Sequence, residues 1–337
     1  MAQINKPSDY FNTVLYTGTG SSNAQTGVGF QPDFTWIKKR NGAVGHRLYD
    51  AVRGATNTLY SDDSAAEATG QTTTLTSFNS DGFTVVSESG VNASSDTYAS
   101  WNWLGANGTA SNTDGSITST VSANTTSGFS IVSWSGSGAN ATIGHGLGAE
   151  PKMIFLKIRT GGNNWQVYNK SIGSGNALFL NTTDASSSNT GWQSTDATSS
   201  FFYVSGGGAV NGSGASLIAY CFAEKQGYSK ISSYVGNGST DGTFVYTGFK
   251  PAFVIIKRTD STSSWSMRDT VRSPNNVVTN RLWSDLSNAE STSTTETIDI
   301  LSNGFKCRNN AAGINASGGS YIYMAFAENP FTSSTGT

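Results

Sequence analysis

Charge is scarce in this chain of 337 residues: Asp, Glu, Lys and Arg make up 12% of it, about half the usual share of a soluble domain. The net charge is −2, so no basic excess is available to neutralise phosphates, and nucleic-acid binding has no electrostatic footprint. Cysteine is scarcer still. The two cysteines, Cys221 and Cys307, fall in strand-like runs of different segments, and the expectation is two buried free thiols with no disulfide framework. With two histidines, His46 and His145, no Cys/His cluster has metal-ligand spacing, and no Gly-x-Ser-x-Gly elbow is present. No stretch approaches the ~18 apolar residues of a membrane helix. The opening Met1-Ala-Gln-Ile-Asn-Lys6 also lacks the apolar centre of a secretory signal, so the expectation is synthesis in the cytoplasm without membrane insertion.

Glycine (39 residues), Ser, Thr and Asn fill the space that charge leaves, and aromatics reach 11%. Disorder would require few aromatic and β-branched residues. Here they recur in short apolar runs that can bury a core. Polarity carried by hydroxyls and amides suits many short strands joined by tight turns, so the chain is read as all-β.

An internal repeat organises these runs. Three segments open on an aromatic and a glycine-rich turn: Tyr16-Thr-Gly-Thr-Gly20, Trp134-Ser-Gly-Ser-Gly138 and Tyr234-Val-Gly-Asn-Gly238. Each then places a lysine six residues after a proline: Lys38 after Pro32, Lys157 after Pro151, Lys257 after Pro251. Asp50, Asn169 and Asp269 each follow the same prolines by eighteen residues. The closing runs also match: Tyr98-Ala-Ser-Trp-Asn-Trp103, Leu217-Ile-Ala-Tyr-Cys-Phe222 and Tyr321-Ile-Tyr-Met-Ala-Phe326.

The spacing predicts three tandem antiparallel β-sandwich repeats, jelly-roll or lectin-like. They occupy 1–104 with an N-terminal arm, 129–229, and 230–337 with a short C-terminal tail. The Gly/Ser/Thr/Asn-rich stretch 105–128 reads as an exposed linker. Strands of the first repeat are expected near 14–17, 34–39, 46–51, 58–60, 73–78, 83–87 and 97–103, with one helical turn or two over Asp63–Ala68. Asp81-Gly82 and Asn303-Gly304 signal short hairpins. Trp36, Phe155 and Ile255, four residues after their prolines, should all point into the sandwich interior.

Chemistry is harder to find. His46 has Trp165 and Trp265 as repeat counterparts, which favours packing, and His145 lies in a turn. Gly18-Thr-Gly20 and its equivalents lack a following helix and a phosphate-binding lysine, so they read as strand-end turns. Asp50 and Asp269 could supply the paired acids of a glycosidase. The amide at Asn169 argues instead for a structural role, as a polar clasp between strands with Lys38, Lys157 and Lys257. Asp62-Asp63, Asp114-Gly and Asp241-Gly match no full calcium loop. The reading is therefore no catalytic residue, metal or cofactor. Trp36, Trp101, Trp103, Trp134, Trp165 and Trp265 hold repeated strand positions and are assigned to the core. Trp192 and Trp283 lie in loop or strand-edge context, where an indole can stack on a sugar; half-buried packing is the competing reading. Asn-x-Ser/Thr triplets, among them Asn92, Asn140, Asn181 and Asn237, follow from composition.

The opening Ile4-Asn-Lys-Pro-Ser-Asp-Tyr-Phe-Asn12, Asp50-Ala-Val-Arg-Gly54, Ser80-Asp-Gly-Phe83 and Tyr321-Ile-Tyr-Met-Ala-Phe-Ala-Glu-Asn-Pro-Phe331 resemble tandem-repeat, tail-fibre-like virion proteins of marine bacteriophages, including cyanophages. The likeness runs from about residue 4 to 331. It implies a virion component without catalytic residues to carry over. The expected function is a tail fibre or adhesin that binds a host-surface glycan or protein multivalently. The alternatives are a capsid decoration or head-fibre protein and, less favoured, a polysaccharide depolymerase. Edge strands without charged gatekeepers tend to be covered by partners. A homo-oligomer is therefore expected, a trimer by the resemblance, alongside other virion proteins; the competing arrangement is a monomer whose own repeats shield those edges.

Overall fold

β-Favouring runs bounded by glycine turns pair almost entirely with antiparallel neighbours. The computed structural model describes residues 4–330; Met1–Gln3 and residues 331–337, which include the end of the expected C-terminal tail, lie outside them. Strand takes 41% and helix 4%, an all-β sandwich fold.

The first segment contains β1 (Phe11–Thr17), β2 (Asn23–Gln25), β3 (Phe34–Lys39), β4 (Arg47–Asp50), β5 (Leu75–Asn79), β6 (Gly82–Val85) and β7 (Thr97–Trp103). Next come β8 (Ala110–Asn112) and β9 (Ser119–Asn124). The second segment has β10 (Phe129–Ser135), β11 (Ala141–Gly144), β12 (Met153–Ile158), β13 (Gln166–Asn169), β14 (Asn176–Phe179), β15 (Ser187–Ser188), β16 (Phe201–Val204) and β17 (Ser216–Phe222). The third has β18 (Ser229–Val235), β19 (Phe244–Tyr246), β20 (Phe249–Arg258), β21 (Ser266–Asp269), β22 (Leu282–Trp283), β23 (Ile298–Leu301), β24 (Gly304–Cys307) and β25 (Ser320–Pro330).

The larger sheets run β1-β7-β3-β4, β15-β14-β13-β12-β17-β10-β9-β8 and β18-β25-β20-β21-β22. In each, a closing strand lies between the opening strand and the strand that follows the proline. Phe34, Met153 and Phe253 pair with Trp103, Phe222 and Phe326 on one side. On the other side they pair with Asp50, Asn169 and Asp269. The smaller sheets are β2-β6-β5, β11-β16 and β19-β24-β23. The Asp81 and Asn303 turns close the expected hairpins, with Asn79 opposite Gly82 and Leu301 opposite Gly304.

Alternation along the strands after the prolines makes two apolar faces. Ile37, Leu156 and Ile256 face three separate cores beneath the smaller sheets. Trp36, Phe155 and Ile255 face the other way, into one cluster shared by all three larger sheets. They therefore do not fill the sandwich interiors as expected. Across the shared core, Phe34 stacks on Tyr220 at 4.2 Å, Phe11 on Phe326 at 5.0 Å, and Phe155 meets Trp265 edge-on at 6.3 Å.

Three further expectations change. The stretch 105–128 is not an exposed linker, because β8 and β9 extend the second large sheet, with Ser122 opposite Ile131. Buried Ser119 and Val121 share one face of β9 and buried Ser122 lies on the other, in a hydroxyl-rich alternation that lacks an obvious apolar period. Asp63–Ala68 is not helical: Ala68 bridges to Thr58, and Asp63 accepts the Ala65 N–H at 2.9 Å. The run 58–60 forms isolated bridges instead of a strand. Cys221 and Cys307 are buried free thiols.

Candidate functional site

The side chains that join the segments form a directional set. Fourteen residues after their prolines stand His46, Trp165 and Trp265. Trp165 Nε1 donates to the Tyr60 carbonyl at 2.7 Å, from second segment to first. Trp265 Nε1 donates to Phe179 at 2.8 Å, from third to second. His46 Nε2 lies 2.8 Å from the Trp283 carbonyl, from first to third, which closes the ring. Its Nδ1 accepts from Trp36 Nε1 at 2.7 Å. That pair of bonds requires a neutral imidazole, and burial holds the His46 pKa well below its usual value. The same three junctions carry backbone bonds from Glu67 to Arg159, Ser186 to Thr259 and Glu290 to Arg40, at 2.9, 2.8 and 2.7 Å.

The acid positions lie behind these contacts. Asp50 is buried against Arg53, and Tyr220 of the second segment donates to its Oδ2 at 2.7 Å. Arg53 continues to Glu67 at 2.7 Å, and Glu67 to Arg159 at 2.7 Å. Asp269 is likewise buried against Arg272, with Trp101 donating to it at 3.0 Å. The chain continues through Glu290, 2.9 Å from Arg272 and 2.7 Å from Arg40. Asn169 accepts the Ser171 N–H at 2.9 Å, while its Nδ2 finds no partner among the described residues. These carboxylates are committed to guanidinium groups in the buried interior.

The lysines do not clasp those acids. Lys38 pairs across its ladder with Ala99, whereas Asp50 lies opposite Phe34. Lys38 Nζ donates to the Lys39 and Gly42 carbonyls at 2.7 and 3.3 Å. Lys157 donates to Ile158 and Gly161 at 2.8 and 3.1 Å. Lys257 bonds Ser263 and, in the second segment, Thr183 at 2.9 Å. Burial lowers the pKa of each to about 8. Pro32 and Pro151 precede their strands, while Pro251 sits within β20 at a register shift.

Asn92, Asn211 and Asn315 were missed as a set. All are fully buried, and each stands six residues before its closing run within an Asn-x-Ser triplet. Their side-chain oxygens accept the N–H of Thr19, Ser137 and Asn237 at 2.9, 3.3 and 3.0 Å, anchoring the glycine-rich turns. A Cβ on Gly18, Gly136 or Gly236 would collide with the Ala93, Gly212 or Ala316 carbonyl. The common offset was the available signal. Among the Asp-rich turns, Asp62 accepts the His46 N–H at 2.8 Å, Asp114 meets Asn112 at 3.0 Å and Asp241 pairs with Lys306. No group of three or more potential metal ligands occurs among the described residues.

The two singled-out tryptophans sit differently. Trp192 is 1% exposed and packs edge-on against Tyr168 at 5.6 Å and Phe202 at 6.4 Å. Trp283 is half-buried, its ring covered by the Arg281 guanidinium at 4.6 Å and its carbonyl engaged by His46. Among the described residues the exposed aromatics are Phe244 and Tyr246 on β19, 44% and 60% exposed. Period-two alternation sends Val245 between them into the third core. Phe244 stands opposite Lys306, and Tyr246 opposite Gly304. A Cβ on Gly304 would lie 3.1 Å from the Phe244 ring, so the glycine leaves that ring room to lie over the sheet. Asp299, opposite Lys306, pairs with Arg308 at 3.3 Å. Two open rings beside fixed charge pairs can stack on an apolar surface while polar neighbours orient it. The sequence reading weighed only tryptophans for this role.

A family model described as a domain of unknown function, DUF7483, matches residues 6–330. No curated protein matches the chain.

Proposed function

The chain belongs to the DUF7483 family, and from that premise we propose that it is a bacteriophage virion protein of the tail-fibre or adhesin kind, built from three copies of one sandwich unit. It attaches multivalently to a host-surface glycan or protein. The virion setting is supported by the resemblance of its opening and closing motifs. The common strand order of the larger sheets supports the three-copy reading. The observation that carries the binding role is the Phe244–Tyr246 face, because open aromatic rings on a hydrogen-bonded sheet lose little freedom on binding. Gold-labelled antibody against this chain should decorate the tails of intact particles. Labelling of the shell alone would favour a head-fibre or decoration role, and no labelling would reject the virion assignment.

The proposed protein binds without turning over substrate. Host polysaccharide incubated with it should release no reducing sugar. Self-association is part of the same proposal. The outer backbone groups of β8 and β19 face no further strand in their sheets, and open edges favour pairing. Light scattering should give a multiple of the 35.3 kDa chain mass; the chain mass itself at micromolar concentration would reject self-association.

A further inference from the structure

The three ring junctions are closed differently. Between the first and second segments, β9 lies along β10, while Gly105 N–H and the Ser122 hydroxyl bond to Asp33 at 2.8 and 3.5 Å. Between the second and third, Glu224 Oε1 accepts the Ile231 N–H at 2.9 Å and pairs with Lys230 at 3.2 Å. At the remaining junction, between β1 and the third segment, a cavity of about 310 Å³ stays open.

Thr13 holds in β1 the register position of Ile231 in β18, and Glu328 follows Phe326-Ala as Glu224 follows Phe222-Ala. The corresponding bond is not made. Thr13 N–H turns to Asn12 Oδ1 at 2.9 Å, and Glu328 Oε1 pairs with Lys250 at 3.0 Å. Glu328 Oε2 and the hydroxyl of Thr13, which is 7% exposed, therefore lack partners among the described residues. Thr13, Lys250 and Glu328 line the cavity together with the apolar surfaces of Phe11, Ala252 and Val271.

We propose that this cavity binds a small neutral polyol of hexose size. Its volume lies at the lower end of the range for small-molecule sites, about 300–1,000 Å³. The apolar wall accepts the C–H face of a ring, and the partly exposed Lys250–Glu328 pair at its side offers ligand hydroxyls both a donor and an acceptor. Lys250 and Glu328 neutralise one another, so the site offers no net charge to a charged ligand. The inference is independent of the aromatic face on β19.

The test is titration of the full chain with glucose, galactose and mannose, followed by ligand-observed NMR and calorimetry, with glucuronate and inorganic phosphate as charged controls. At least one hexose should bind saturably. Ala252→Trp should weaken binding more than tenfold, and Glu328→Gln and Lys250→Met several-fold, with Phe244→Ala/Tyr246→Ala leaving it unchanged. Val271→Trp, at a 42% exposed rim position, blocks the mouth should Ala252→Trp fail to fold. No saturable hexose binding, preference for a charged control, binding that survives the blocking variant, or loss only in the β19 variant would each overturn the proposal.

Discussion

The first segment meets the second, and the third meets the first, through a buried chain of acids and arginines, whereas the second meets the third without one. Asp50, Arg53 and Glu67 recur as Asp269, Arg272 and Glu290, each linked onward to Arg159 or Arg40. In the second segment the same places hold Asn169, Ile172 and Ser186, with Thr259 across the junction. The donors to the acids differ in step: Tyr220 serves Asp50 and Trp101 serves Asp269, while the matching place in the third closing run is Met324. Asn169 is thus one member of a coordinated replacement, because a buried carboxylate is tolerated only where cation and hydrogen-bond donor are both present.

The comparison breaks most sharply at the arginines. Arg53→Met or Arg272→Met leaves a buried acid uncompensated and should cost on the order of 3–5 kcal/mol, measured by urea unfolding. Converting Asp50, Arg53 and Glu67 together to Asn, Ile and Ser should cost much less than Arg53→Met alone. A triple variant as unstable as the single one would show that the substitutions do not act as a set. Asp50→Asn alone should be clearly destabilising despite the natural amide at Asn169, because Arg53 then keeps only part of its countercharge. Trp36→Ala, which empties part of the shared core, should also cost about 3–5 kcal/mol; an unchanged melting transition would contradict its place there.

Acid should sharpen the contrast between His46 and its tryptophan counterparts. Burial depresses the His46 pKa, so the unfolded chain takes up the proton first. Stability is full above the ordinary imidazole value of about 6.5 and declines as pH falls from there towards the lower folded pKa. His145, similarly lowered by burial, contributes in the same direction. His46→Gln should reduce the slope in denaturant midpoints between pH 7 and 5, and an unchanged slope would contradict the assignment. The smallest stability effect is expected at the outer face. Phe244→Ala/Tyr246→Ala should move stability by only about 0.5 kcal/mol yet lower attachment to host cells.

Much of the ring was legible in unequal ways. The proline-to-lysine interval located β3, β12 and β20, and Asp81-Gly82 and Asn303-Gly304 located two hairpins, since both depend on local backbone preferences. The shared core was not legible. Alternation at Trp36 and Ile37 reveals two apolar faces, and only tertiary packing decides which face meets a smaller sheet. Trp192 looked loop-like because Gly191 and Asn189 surround it, but long-range packing with Tyr168 and Phe202 buries it. The lysines matched the acids in spacing along the chain, yet strand register separates them. Phe244 and Tyr246 show the same limit in reverse: their alternation was readable, while their exposure depended on where the third small sheet lies.

The central claim is that the first segment meets the third within one chain. Glu290 N–H bonds the Arg40 carbonyl at 2.7 Å at that junction, so an Arg40→Cys/Glu290→Cys variant tests it directly. Mild oxidation followed by proteolysis and mass spectrometry should yield a disulfide between residues 40 and 290 in protein of single-chain mass. Failure to form that bond, while a cysteine pair placed across β3 and β7 does form one, would contradict the closed ring.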